Sequence, residues 1–595
     1  MIVKRKADEI LNCDDPNPFS DSQARNYADV KISNEFYPTS VFWSLFNDQH
    51  EVLLGTRGSG KTFLLKMMRR SMLKRIGAEK AKNLVDKNDY FALYVPMHVE
   101  IVSEYKKLDD NPERQVKVFQ FFFNCILAEA IVQEIQEVLK EQMDEVQSAI
   151  TGHQLACRLD SSWFAHEKSY GAVSTLEDLD QKLKEMYLSF DLENGDFRTI
   201  PVVFTRQICS SLISAKGIIT NVLKWKEEPT WIICVDEAEF LNENMQKCIN
   251  SVFRADSNRI ALKVATLPFY HKTLDTLVSG IRVSASNDFC YKFIDMDYDS
   301  EEYRCLTNQL CAHRLQTRLI SRQIEIDTLE DFLGKVGNDD YIDYYRAEVG
   351  DENATKEKIE EGILSSFSES RRRGAASYSN RRKTVYDKYA PIFYVREMYK
   401  IARSGHSKPG WYAGASVVRK VSQGNPRMFI QIMNALFEKA RRTRLTPKAQ
   451  HEELYKFAVD FCNSTKGLSA DAYDGLKAIC TCLQKKVHSL ERMLTTGCAV
   501  TIVAGNAVEY DNARRWIEEA IAHSRLTVDG DALVNGLQEK TKIVLSNAYA
   551  VCYWIPMRTD TVTKISLQKL SAQVNDDEGE RSIHQHQLSL FEGDI

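Results

Sequence analysis

Glycine and proline are scarce, at 26 and 13 of 595 residues. That scarcity favours a helix-rich chain. No window approaches 18 apolar residues, so no transmembrane helix is expected. The start, Met1-Ile-Val-Lys-Arg-Lys, lacks the apolar run of a secretory signal. No CxxC pair occurs, since Cys480 and Cys482 have one residue between them, and HExxH is missing. Zinc and dithiol redox sites are therefore not expected. Fourteen cysteines without a secretion signal suit a reducing cytoplasm, most of them as small core residues. An excess of positive charge is absent too. The net charge of −5 excludes a uniformly basic nucleic-acid coat, although not local basic patches. What is present is globular composition, 44% hydrophobic and 27% charged, enough for about three to four domains.

Residues 1–50 form a polar, loop-rich segment ending in Val41-Phe-Trp-Ser-Leu-Phe46. Buried-strand runs are expected at 51–54, 91–96, 231–235 and 260–265. Helices are expected at 61–75, 114–148, 176–190 and 203–225, from apolar spacings of three and four such as Val132, Ile135 and Leu139. Strands alternating with helices indicate an α/β core with a parallel sheet, here over 51–295. Residues 296–448 are mostly helical. Residues 449–568 end in helix, helix, strand, turn, strand. Residues 569–595 have the composition of a flexible tail.

Gly55-Thr-Arg-Gly58-Ser59-Gly60-Lys61-Thr62 matches GxxxxGK[ST] between a strand and a helix. Gly55, Gly58 and Gly60 let the backbone curl, so that successive N–H groups, Ser59's among them, point at phosphate oxygens. Lys61 reaches the β- and γ-phosphates, Thr62 ligates Mg²⁺, and the helix offers its positive end to the anion. The strand Trp231–Val235 ends in Asp236-Glu237. Asp236 is expected to hold Mg²⁺ through water, and Glu237 to orient and polarise the attacking water. Glu239 is expected to be a helix N-terminal charge.

With these motifs the chain resembles the AAA+ ATPases, in particular the origin-recognition initiators and related signal-transduction ATPases. Three further places carry the resemblance. Thr266, in Lys263-Val-Ala-Thr-Leu-Pro268, matches the sensor-1 position, where many relatives have Asn. Ser422-Gln-Gly-Asn-Pro-Arg427 resembles sensor 2, with Arg427 reaching the γ-phosphate. Val544–Arg558 resembles the hairpin closing a winged helix. The resemblance implies ATP and Mg²⁺ as ligands, a helical lid, a homo- or hetero-oligomer, and a trans-acting arginine. Arg282 is the candidate for that arginine, with Arg254 and Arg259 as rivals. Two stretches, 101–200 and 300–420, depart from the family pattern and are expected to be helical insertions.

Basic clusters at 371–373, 381–383 and 439–444 suit phosphate contacts or solvated faces equally well. Residues 511–524, with Asn512, Arg514, Arg515 and Trp516, are expected to form a recognition-type helix. The tail ends in Gln587-Leu588-Ser589-Leu590-Phe591, which resembles the bacterial sliding-clamp-binding peptide. Three apolar anchors on a polar tail suit a pocket at moderate affinity. His584 and His586 are expected to be plain polar tail. The combined expectation is a cytoplasmic bacterial, fork-associated ATPase that binds DNA and the sliding clamp, with no membrane partner. The alternative is an ATP-gated switch in antiphage defence that controls a separate effector.

Overall fold

A computed structural model describes residues 17–21, 29–97, 111–164, 173–191, 195–255, 259–319, 327–334, 340–365, 379–404, 410–443, 445–489 and 496–567. The chain divides into two compact units. One comprises Gln23–Gly55 and Gly60–Ile294, the other Met1–Ser22, Thr56–Ser59 and Asp295–Ile595.

The first unit holds a five-stranded parallel sheet: β1 (Glu51–Leu54), β2 (Tyr90–Pro96), β3 (Thr230–Asp236), β4 (Ile260–Thr266) and β5 (Cys290–Phe293). The strand order is β2-β3-β4-β1-β5. This is the expected α/β core. Its central strands β1 and β4 are buried at every residue and mostly apolar, as strands of a parallel sheet covered on both faces are. Every residue of β4 is buried, including Lys263. Its ammonium donates to Asn47 Oδ1 at 2.8 Å, to the Gln49 carbonyl at 2.8 Å and to Glu51 Oε2 at 2.9 Å. All three protons of a buried ammonium are thus used, which the interior requires.

The helix expected over 61–75 is broken. Lys61–Met67 is followed by an extended Arg69, then Arg70–Leu73 and a 3₁₀ turn at Lys74–Ile76. The cause is tertiary. Arg69 faces Glu134 at 3.6 Å, Arg70 faces Glu141 at 3.6 Å, and Lys74 also pairs with Glu141. Both glutamates lie on Pro112–Gln142, the first helix among the described residues of the 101–200 segment, which is followed by Glu145–Phe164 and Leu176–Ser189. Asn111 caps the first of these by accepting from Arg114 N–H, with Pro112 at the first helical position, where a missing N–H costs nothing. The expectation that no segment is apolar enough to span a membrane needs correction here. Pro112–Gln142 contains an 18-residue window of mean hydropathy 1.4. That window is 83% buried in protein, so its apolar surface serves the core.

In the second unit, 300–420 is helical at Glu301–Leu319, Leu329–Leu333, Asp340–Val349, Lys356–Ser365 and Ser379–Ser404. The C-terminal part carries a second sheet: β6 (Ala499–Val503), β7 (Leu526–Val528), β8 (Lys542–Leu545) and β9 (Val562–Ser566), ordered β7-β8-β6-β9. The Val544–Arg558 hairpin does not form. β8 ends at Leu545, and Asn547–Cys552 is a helix with all six residues buried. A short apolar run of this kind suits a buried strand and a buried helix alike, so periodicity could not separate them.

Two buried histidines act as acceptors. His50 Nδ1 accepts from Leu262 N–H at 3.0 Å, and His451 Nδ1 accepts from Tyr412 N–H at 3.2 Å. Burial holds His50 down at about 4 and His451 at about 3. Burial likewise lowers His271 and His488 to about 4, and it raises Glu129 and Glu134 to about 7. A depressed histidine contributes stability that is complete above its unfolded value of about 6.5 and is lost as pH falls. The raised glutamates act oppositely, losing stability as pH rises from about 4.5 to 7. The four histidines outnumber them, so denaturant midpoints are expected to fall between pH 6.5 and 5. His451→Asn, which keeps an acceptor, should shallow that slope by about one proton. An unchanged slope in urea titrations at several pH values would count against the neutral His451.

Candidate functional site

The parallel order places the C-terminal ends of β1, β3 and β4 along one edge of the sheet. Open α/β sheets bind ligands at that edge. β1 runs into Gly55, β3 ends at Asp236 and β4 ends at Thr266. Leu54 and Thr266 are in register, and Gly55 N–H donates to the Thr266 carbonyl at 3.3 Å. Lys61, 8% exposed, donates to the Gly55 carbonyl at 2.6 Å across the curl of the loop. Gly60 has φ +97° as the N-cap of Lys61–Met67, and Gly58 has φ +94°. Only glycine adopts such angles without strain, so the loop needs both. Thr62 stands in the first helical turn, partly exposed.

Asp236 is 2% exposed, and both its oxygens are engaged. Oδ1 accepts from Glu237 N–H at 2.9 Å, and Oδ2 accepts from the Tyr94 hydroxyl at 2.8 Å. Glu237 has φ +59°, a left-handed backbone that costs on the order of 1 kcal/mol or more for a non-glycine residue. Glu239 is more than a charge at a helix start. Burial raises its pKa, Lys61 counters that in part, and its Oε2 is buried without a hydrogen-bond partner. Thr266 Oγ1 and Ser59 Oγ are also buried without a partner. Thr266 lines a cavity of about 20 Å³ with Val52, Gln246 and Ile249, about the room one water needs.

In the unit that holds the loop tip Thr56–Ser59, Arg427 follows Asn425 and Pro426 at the start of the helix Pro426–Arg442. Asn425 caps that helix by accepting from Arg427 and Met428 N–H, and its amide donates to the Arg57 carbonyl at 2.9 Å. Arg427 N–H approaches the Gly58 carbonyl at 3.4 Å. A Cβ at Gly58 would lie 2.7 Å from Asn425 Oδ1 and 2.8 Å from Arg427 Cβ, so the close approach of this helix also demands glycine. Asp295 accepts from Thr56 N–H at 3.0 Å and from its hydroxyl at 2.7 Å.

Tyr94 and Asp295 were not anticipated. Asp295 had a legible signal, an acidic residue just past an apolar strand, as at Asp236. Tyr94 had none, because only strand pairing sets β2 beside β3. Arg282 is exposed and pairs with Asp275 at 3.0 Å. Its rival Arg254 pairs with Asp288 at 2.7 Å, and Arg259 donates to the Glu228 carbonyl. In the helix Ala507–Ala522, Asn512 and Arg515 are exposed, whereas Arg514 pairs with Glu518 at 2.6 Å. Trp516 packs over Gly475. Lys439 pairs with Glu452 at 3.0 Å and Arg441 with Glu438 at 3.2 Å, which discharges much of that cluster locally. Arg371–Arg373, Arg444, His584, His586 and the peptide Gln587–Phe591 lie outside the described residues, as do the side chains of Arg381–Lys383.

The residues at the sheet edge suit a nucleoside triphosphate with Mg²⁺. The donor set is one lysine, one hydroxyl and one carboxylate beside the glycine-shaped backbone at Gly60, with a buried hydroxyl at Thr266 still lacking a partner. Among the described residues no group of three or more His, Cys, Asp or Glu is arranged to hold a metal. Among known proteins, the model of a family described as ORC-CDC6-like matches residues 17–567. No curated protein and no solved structure matches.

Proposed function

The chain belongs to the ORC-CDC6-like family, a family of AAA+ ATPases, and from that membership we propose that it is an ATP-hydrolysing switch acting on replicating DNA. The observation that carries the proposal is the glycine turn into the Lys61 helix, with Gly60 and Lys61 at the start of a helix that packs on the strand ending in Asp236 and Glu237. In this reading the backbone N–H groups of 58–62 and Lys61 bind the phosphates. Thr62 and Asp236 hold Mg²⁺, which when bound neutralises phosphate charge. Glu237 orients the attacking water. Thr266 contacts the γ-phosphate side, and Arg427 reads the same phosphate from the Pro426 helix. Arg282 is offered to a neighbouring copy. ATP binding and hydrolysis then bias two conformational states, and whatever binds one of them better is gated by the cycle.

DNA and the bacterial sliding clamp are the proposed partners, through the exposed face of Ala507–Ala522 and through residues 587–591. The test is ATP hydrolysis by the full chain with and without duplex or primed DNA, and with clamp added in parallel. Stimulation by DNA, raised further by clamp and lost on deleting 587–591, is the expected result. Hydrolysis indifferent to both overturns the replication assignment and favours a switch gated by another protein. No hydrolysis under any condition overturns the enzyme assignment.

A further inference from the structure

Tyr94 occupies β2, two residues before Pro96, the residue in register with Asp236. Parallel pairing of β2 with β3 brings its hydroxyl 2.8 Å from Asp236 Oδ2. The residue is partly buried, and Lys66 Nζ lies 5.7 Å from its ring centroid. The opposite oxygen of Asp236 is held by Glu237 N–H at 2.9 Å. The carboxylate is therefore pinned at both ends, with one direction left at each oxygen for a further partner.

We propose that Tyr94 is a positioning residue for the metal-holding carboxylate of Asp236 and sets the affinity of the site for Mg²⁺. The proposal rests on the nucleotide reading above. A carboxylate 2% exposed has little water to orient it, and among the described residues these two donors are the hydrogen bonds that fix its rotation. Removing one frees the carboxylate to turn away from the position in which it meets a metal-bound water. Partners that orient a ligand in this way typically change metal affinity 10–100-fold.

The test is Tyr94→Phe in the full chain, read by a fluorescent ATP analogue titrated with Mg²⁺ at fixed nucleotide. The half-saturating Mg²⁺ concentration is expected to rise on the order of 10-fold. Nucleotide affinity in EDTA should stay within about twofold, because that binding does not use Asp236. Replacement of Tyr94 by 3,5-difluorotyrosine preserves the packing and strengthens the donor. Drawing charge from the carboxylate, it should also raise the Mg²⁺ requirement, by about two- to threefold. This second variant keeps the test decisive should the phenylalanine variant not fold. An unchanged Mg²⁺ requirement in a folded variant overturns the role of Tyr94. A wild-type chain that binds no Mg²⁺-nucleotide overturns the nucleotide reading instead.

Discussion

Glu237→Gln is expected to lower the single-turnover rate of ATP hydrolysis by 10²-fold or more, with ATP binding unchanged within about threefold. The amide keeps the size of the side chain and loses the capacity to accept a proton. A positioned general base contributes typically 10²–10⁴-fold. The backbone supports this role for the position. Glu237 is held at φ +59° directly after β3, with its N–H tied to Asp236 Oδ1. A strained non-glycine conformation survives only where surrounding structure enforces it, and here it turns the chain sharply at the strand end. The variant should therefore trap the ATP-bound state, seen as nucleotide retained through a spin column. A hydrolysis rate within a few-fold of wild type would remove Glu237 from the reaction.

Lys263→Met is expected to destabilise the unit bearing the parallel sheet by about 3–5 kcal/mol. The site is fully enclosed, since the side chains of Lys263 and Glu51 are 0% and 1% exposed. The three bonds from the ammonium close the Asn47–Gln49 turn onto β4 and neutralise Glu51. Methionine fills the volume but leaves a carboxylate in the sheet interior, with the Asn47 amide at 3.2 Å and Lys292 at 3.6 Å to offset it only in part. The pair itself need not be a net source of stability. Desolvating two charges costs about as much as their attraction returns, whereas an unpaired buried charge is costly. The double variant Glu51→Leu/Lys263→Met should accordingly recover most of the loss. Chemical denaturation of the two variants decides this. Equal loss in both would place the cost in packing rather than charge.

Much of the candidate site was legible because its pattern is local. A phosphate loop needs glycines at fixed offsets and a lysine just inside a helix, and those constraints are written in consecutive residues 55–62. The Asp236-Glu237 pair was legible as a charge break ending an apolar run. Four of the five strands of the first sheet announced themselves as apolar runs, because a parallel sheet covered on both faces tolerates little else. Lys263 sat inside one of those runs as an apparent exception, and nothing local said that Asn47, Gln49 and Glu51 would receive it.

The break at Arg69 and the helix at Asn547–Cys552 were not legible, and the reasons differ. At Arg69 the sequence favours a continuous helix, and glutamates more than sixty residues away redirect the chain. At 547–552 an apolar run suits either element, and burial among neighbours decides. Tyr94 belongs to the same class, a polar contact made across neighbouring strands. By itself, then, the sequence determined the α/β class, the phosphate loop and the acidic strand end, since each follows from residues within a few positions of one another. Only the tertiary structure decided which side chains hold Asp236, what satisfies Lys263 and why Gly58 must lack a side chain, since each of those depends on elements that strand order and helix packing bring together.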